Sequence, residues 1–226
     1  KAANKTDAIN LSVIGTDEVG TGDFFGPIVV AAAYVPKMQI LPLMRLGVKD
    51  SKKINDIQVL EIAPEIMRVV KTSALILNNL KYNYLTTRNN CNMNKIKALL
   101  HNNVIYNILP KVSEYDAIII DAFTTREKYF DYLKGQEIMI KNVELVEKGE
   151  SKHIAVAAAS IVARYLFIKE MEKLSEEVGF DLPKGAGNKV DLAIAKILKE
   201  KNEAFFNTIA KMNFKNWEKV KKDSRS

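Results

Sequence analysis

The sequence predicts an α/β domain in which a central sheet is flanked by helices, and three observations carry that prediction. Apolar, β-branched runs of strand length alternate with stretches whose apolar residues recur at helical spacing. Asp121 follows the short apolar run Ala117 to Ile120, the position at which open α/β sheets present ligand-contacting residues. The segment from Ile14 to Pro27 ends an apolar run with two adjacent carboxylates, Asp17 and Glu18, and follows them with closely spaced glycines.

The elements follow in order. Leu11 to Thr16 and Ile28 to Val35 read as neighbouring strands joined by the glycine-rich bend. Side chains alternate across a strand, so Asp17 and Glu18 serve one site only where the strand ends or bends, which the glycines would allow. A loop with Pro36 and Pro42 leads to a helix carrying Ile57, Leu60, Ile62 and Ile66, and Val69 to Leu77 reads as a third strand. Ile96, Leu99, Leu100, Val104 and Ile108 fall on one helical face that stops before Pro110. Ala117 to Ile120 is a buried strand, and Ile138 to Val146 alternates as a further one. From Lys148-Gly149-Glu150 the chain turns into a long helix spanning about Lys152 to Glu177, where Ala157, Ala158, Ala159 and Ser160 permit close packing on the sheet. Helical segments follow at about Lys189 to Lys201 and Glu203 to Met212, before a basic end. With no repeat and no clear linker, residues 1–226 read as a single domain with C-terminal helical segments from about 188.

Composition narrows the function classes. Hydrophobic residues make up 47% and charged residues 27% of the 226, and no apolar run reaches bilayer-spanning length. Cys91 is the only cysteine, which excludes an intrachain disulfide and fits a reducing, cytoplasmic setting. The net charge of +7 comes from 34 basic residues, of which six are arginine. Lysine contacts phosphate as a point charge and does not read bases in bidentate fashion, so a polyanion partner fits and sequence-specific recognition is not indicated. No Gly-x-Ser-x-Gly, Cys-x-x-Cys or Walker loop is present, and His101 and His153 form no metal pair with cysteine. His101 reads as a structural residue of its helix and His153 as a helix-start residue.

What remains is oxygen chemistry. Asp17, Glu18, Asp121 and Glu150 each stand at the end of a regular element and are the hard ligands that Mg²⁺ and Mn²⁺ prefer. Gathered at one sheet edge they could hold two cations about 4 Å apart, the spacing of in-line phosphoryl displacement. Gly20 and Gly22 would let main-chain amides approach a ligand without interference from a Cβ.

These residues resemble a known family. Asp17-Glu18-Val19-Gly20 with Gly26-Pro27, then Gly47-Val48-Lys49-Asp50-Ser51-Lys52-Lys53, then Asp121, then Lys148-Gly149-Glu150 and Ala157 to Arg164 look like prokaryotic type 2 ribonucleases H along most of the chain. Gly20 to Pro27, Leu100-His101-Asn102 and Leu182 to Gly187 look like ribonuclease HIII rather than HII, whose loop usually has Gly-Arg-Gly. The resemblance implies a ribonuclease H-like fold with a mixed five-stranded sheet. It also implies cleavage of the RNA strand of RNA/DNA hybrids with Mg²⁺ or Mn²⁺, by a cytoplasmic monomer. Asp17, Glu18, Asp121 and Glu150 then match the metal-binding carboxylates, Glu150 standing where many relatives have the shorter aspartate. Gly20-Thr21-Gly22 matches the segment that contacts ribose 2′-hydroxyls, a group that distinguishes RNA from DNA. Ser51, Lys52 and Lys184 match positions near the nucleic-acid backbone. Ribonucleases HIII usually carry an N-terminal substrate-binding domain that the residues before Leu11 are too few to form. Two other readings stay open: incision at single ribonucleotides in DNA in the manner of ribonuclease HII, against which Thr21 argues, and a hybrid-binding module without catalysis.

Overall fold

The computed structural model describes residues 10–48, 53–89 and 91–223. Five strands, β1 (Val13–Val19), β2 (Ile28–Val35), β3 (Lys71–Leu77), β4 (Ala117–Asp121) and β5 (Glu144–Val146), form one sheet in the order β3-β2-β1-β4-β5. The β1–β4 and β4–β5 pairs are parallel, with Thr16 opposite Ile120 and Asp121 opposite Val146. The link from β1 to its neighbour β2 is too short for a parallel crossover, so the sheet is mixed. Its central strands carry the apolar core: Ile14, Ile28, Val29, Val30 and Ile120 are fully buried.

Ten helices accompany the sheet among the described residues: α1 (Ile40–Arg45), α2 (Asp56–Val69), α3 (Asn79–Thr87), α4 (Met93–Ile108), α5 (Arg126–Leu133), α6 (Gly149–Lys152), α7 (Ile154–Val178), α8 (Asn188–Ile197), α9 (Glu203–Ile209) and α10 (Lys215–Asp223). Local chemistry sets several boundaries. Asn55 and Gln58 form a reciprocal capping box that starts α2, and Asn78, Thr125 and Asn202 cap α3, α5 and α9 with their side chains.

The chain divides into two compact units. One runs through Glu18 and takes in Val30–Leu75 and Met93–Tyr165; the other takes Val19–Val29, Ile76–Asn92 and the chain from Leu166 onward. In the first, Gly15 is the contact that seats α7 on β1. A Cβ there would lie 2.2 Å from the main-chain nitrogen of Val156, so only glycine lets helix and strand approach so closely. The expected small-residue face of α7 is thus matched by a small residue on the strand. In the second, α3 packs on α9 and α8 on α10.

Two expectations need correction. Ile138 to Val143 is not strand, and only Glu144–Val146 pairs. The Asn102 amide donates to the Ile138 carbonyl and accepts from the Ile140 amide, both at 2.9 Å, while Arg126 donates to the carbonyls of Val143 and Lys141. Side chains from two helices therefore take the main-chain groups that a ladder would use. The long helix expected over about Lys152 to Glu177 is α7, with the short α6 set off from it at His153, while the basic end folds as α10 around buried Trp217 and Val220. Ser51 and Lys52 lie outside the described residues.

Candidate metal centre

All four predicted carboxylates belong to the first unit. β1 does not bend at the acidic pair; it runs on to Val19, so Asp17 and Glu18 point to opposite faces and are met by different helices. Asp17, 8% exposed, accepts a hydrogen bond from Ser160 of α7 and another, at 2.8 Å, from the Glu18 amide. Glu18 faces α4, where Lys97 Nζ lies 2.5 Å from one carboxylate oxygen and His101 Nε2 lies 2.9 Å from the other. Behind the imidazole, Thr16 Oγ1 is 2.7 Å from His101 Nδ1. With the proton on Nε2, the ring donates to Glu18 and accepts from the threonine hydroxyl, which holds it in one orientation. Phe123 completes this wall: His101 stacks on its ring at 5.3 Å and the Lys97 ammonium sits 4.3 Å from its centre.

Asp121 ends β4. Its Oδ1 accepts a 2.7 Å hydrogen bond from the Gly149 amide at the start of α6, and its carboxyl shares a hydrogen bond with Glu150. Lys148 adopts the left-handed region at φ 53°, turning the chain so that Gly149 and Glu150 come in over the end of β4. Glu150 is buried at 5% exposure. A cleft of about 1010 Å³ opens beside Asp121, lined in part by Phe123, Thr124, Arg126 and Lys128.

The electrostatics of the cluster are uneven. Burial, with the neighbouring charges of Glu18 and Asp121, pushes the Asp17 carboxyl up to about 8. Burial and Glu150 raise Asp121 to about 6 against the opposing Gly149 amide. Burial acts upward on Glu18 as well, but His101 and Lys97 outweigh it and hold the carboxyl below its usual range. Among the described residues, no three acidic or imidazole side chains already converge on one point as a finished cage. That agrees with mutual repulsion and with a Glu18 turned toward Lys97 and His101. The donor set itself, four carboxylates at the ends of adjacent elements, fits a hard divalent cation and no soft one.

Asp17, Glu18, Asp121 and Glu150 lie near enough to influence one another, and Asp121 shares a hydrogen bond with Glu150, but Glu18 points away from Asp17 toward α4. His101 does more than fill its helix, since it holds Glu18. His153 lines a small hollow with Leu11 and Val13, at the start of β1 and away from the acidic end. Thr16, Lys97 and Ser160 are site residues that the sequence reading missed. A faint signal existed for Lys97, which lies one helical turn before His101 and so shares its face.

Of the substrate-side candidates, Gly20, Thr21, Gly22 and Lys184 belong to the second unit. Gly20 is buried at φ +90°, and a Cβ there would lie 2.2 Å from the Pro27 carbonyl, so this glycine is required by its turn. Gly22 is exposed and a Cβ on it would meet nothing within 4 Å. Lys184 is exposed in the loop after α7.

A sequence model described as Ribonuclease HII matches residues 14–217, nearly the whole of this arrangement. The chain belongs to the ribonuclease HII family. Within it the similarity runs to ribonuclease HIII. The ribonuclease HIII of Bacillus mycoides (strain KBAB4) is 48% identical over 213 residues, which cover 93% of this chain and 68% of that protein. The ribonuclease HIII of Bacillus anthracis (strain A0248) matches with the same identity and coverage. Bst-RNase HIII, solved in complex with Mn²⁺, superimposes with a TM-score of 0.93 at 46% identity, covering 98% of this chain and 72% of that one. The ribonuclease H2 of Pyrococcus horikoshii OT3, at 21% identity and a TM-score of 0.74, shares the fold. The expected ribonuclease H-like architecture and the ribonuclease HIII resemblance are both borne out.

Proposed function

We propose that this chain is a Mg²⁺- or Mn²⁺-dependent ribonuclease H that hydrolyses the RNA strand of RNA/DNA hybrids and leaves 5′-phosphate and 3′-hydroxyl ends. The observation that carries the reading is the buried carboxylate cluster of Asp17, Glu18, Asp121 and Glu150, in a chain 48% identical to proteins named ribonuclease HIII. Two bound divalent ions would supply charge neutralisation at the attacking water and at the leaving 3′-oxygen. The protein's part is placement. Asp17 and Asp121 would hold the ions from the ends of β1 and β4, with Glu18 and Glu150 flanking them. The Ser160, His101 and Lys97 contacts keep the β1 pair on fixed rotamers.

Recognition is assigned to Gly20-Thr21-Gly22 at the ribose and to Ser51, Lys52 and Lys184 along the phosphates. The open space at the Gly22 Cα supports the first assignment, because a sugar could approach the main chain there. The net charge of +7 favours a duplex polyanion and supports binding whose affinity falls as salt rises. Among the described residues, no helix is long and apolar enough to cross a membrane. We take residues 1–226 to form a single catalytic domain of a cytoplasmic, monomeric enzyme.

The test is cleavage of end-labelled RNA/DNA, RNA/RNA and DNA/DNA duplexes with Mg²⁺ and with Mn²⁺. Cleavage confined to the RNA strand of the hybrid is expected. A duplex with one embedded ribonucleotide distinguishes the ribonuclease HII-type alternative, and tight hybrid binding with no cut under either metal would leave only a binding module.

A further inference from the structure

The second unit buries a lysine that the chemistry above does not use. Lys211, on the segment after α9, is fully shielded from solvent. Its Nζ donates to the carbonyls of Asp23 at 2.8 Å and Gly26 at 2.5 Å, and its main-chain amide donates to the Phe24 carbonyl at 2.8 Å. The Gly26 amide donates in turn to Ile209, and Phe25 pairs with Ala210 as an antiparallel bridge. The C-terminal segment therefore runs beside the second half of the glycine turn, with the amine reaching over both ends of it.

Two further links tie this turn down. Asn79 donates to the same Gly26 carbonyl at 2.9 Å. The Asp23 carboxylate accepts from the Gly185 amide at 2.6 Å, while Phe24 donates to the Gly185 carbonyl at 2.9 Å, so the loop that carries Lys184 is locked to the turn. The Asp23 amide closes onto the Gly20 carbonyl at 3.4 Å. An unbroken path of polar contacts thus leads from Lys211 through Asp23 to the Gly20–Gly22 main chain.

Burying an amine is unfavourable unless its hydrogen bonds are met, and an apolar side chain would fill a plain core at least as well. What lysine supplies here is direction: two carbonyls facing one point need a two-proton donor. Burial lowers the amine to about 7, against a raising effect of Asp23, and a neutral amine has two N–H groups for those two carbonyls.

We propose that Lys211 is a positioning residue for substrate recognition, holding the Asp23–Gly26 turn so that the Gly20–Gly22 main chain keeps the shape that meets the ribose of the hybrid. The proposal rests on the reading of that loop as the ribose contact. It also assigns the segment after α9 a part in recognition without any contact to nucleic acid.

The experiment measures steady-state kinetics on an RNA/DNA hybrid together with thermal melting, for Lys211→Met and Gly22→Val. Lys211→Met is expected to raise KM about tenfold, the loss of roughly one well-made hydrogen bond's worth of placement, with kcat within about twofold. Its melting temperature should stay within a few degrees. Gly22→Val, whose Cβ meets no protein atom, should raise KM with melting unchanged. Unchanged KM in Lys211→Met beside a raised KM in Gly22→Val overturns the positioning role alone, whereas unchanged KM in both overturns the loop reading beneath it. If Lys211→Met does not fold, Lys211→Gln takes its place, because its arm is one bond shorter and draws the donor back from the two carbonyls, and a folded protein with unchanged KM again overturns the proposal. Failure of both variants to fold makes Lys211 a requirement of the fold and overturns a role in positioning.

Discussion

The carboxylate cluster at the ends of β1 and β4 and the amine beneath the glycine turn both take ionisable groups out of water, but they reach neutrality by different routes. Lys211 finds its partners inside its own unit: two carbonyls accept its protons, and burial lowers its affinity for the third. In the cluster, Glu18 is paired with the Lys97 ammonium and the His101 ring, while Asp17 and Asp121 hold their protons well above the usual carboxylate range. The amine is complete as folded. On the proposed reading a cation replaces those protons and completes the cluster, as expected of a site built for a ligand rather than for stability.

Substitution within the cluster should separate these two cases most sharply. Asp121→Asn keeps the shape of the side chain and removes a charge the metal-free protein does not need. Hydrolysis of the hybrid should drop by about a hundredfold or more, the scale on which single electrostatic contributors act in active sites. Melting in the presence of a chelator should hold or rise. An Asp121→Asn enzyme that retains a tenth of wild-type turnover would remove Asp121 from the catalytic set.

The glycine turn offers the converse experiment, a change that should damage the fold before the chemistry. Gly20→Ala places a Cβ 2.2 Å from the Pro27 carbonyl at a φ of +90°, and the nearby Phe167 ring leaves no room on the other side. Strain plus displacement should cost about 2–4 kcal/mol in urea unfolding. A stability loss under about 1 kcal/mol would mean that the turn relaxes easily, and would weaken the case that it is a rigid reader.

How much of this was legible in the chain follows the same division. Asp17, Glu18, Asp121 and Glu150 could be found because each sits where an element ends, a local property of the sequence. Thr16, Lys97 and Ser160 could not, because what defines them is a partner far along the chain: Lys97 matters only once α4 lies against β1. Nothing local in the sequence singles out Gly15, whose role appears only when α7 lands on it. The shortened β5 has the same origin, since the alternation of Ile138 to Val146 is genuine while Asn102 and Arg126 claim the main chain of its first part. Lys211 carried only a weak local hint, a lysine directly after the apolar pair Ile209-Ala210.

The smallest effect expected is also the most direct reading of the unfinished cluster. Asp121 and Asp17 have folded-state values raised to about 6 and about 8 from an unfolded 3.8, so the folded protein binds more protons than the unfolded chain across that interval. Their stabilising contribution is full below 3.8 and is lost as pH rises through 6 toward 8. Glu18, shifted the other way, acts only at the acid end, where its charge is lost as pH falls. Lys211 adds stability as pH climbs from about 7 to 10.5, and His153, whose imidazole burial holds below 6.5, adds it as pH climbs toward 6.5, so between pH 5 and 7 the two aspartates act against a single opposing group. In a chelator the melting temperature should therefore fall across that window, by about 2–4 °C for each kcal/mol of proton linkage. Saturating Mn²⁺ should flatten or reverse the slope, because a bound cation keeps the carboxylates ionised and its affinity grows as protons leave. Parallel profiles with and without Mn²⁺ would mean that the ion does not displace these protons, and the cluster would then have to be neutralised from within, as the amine is.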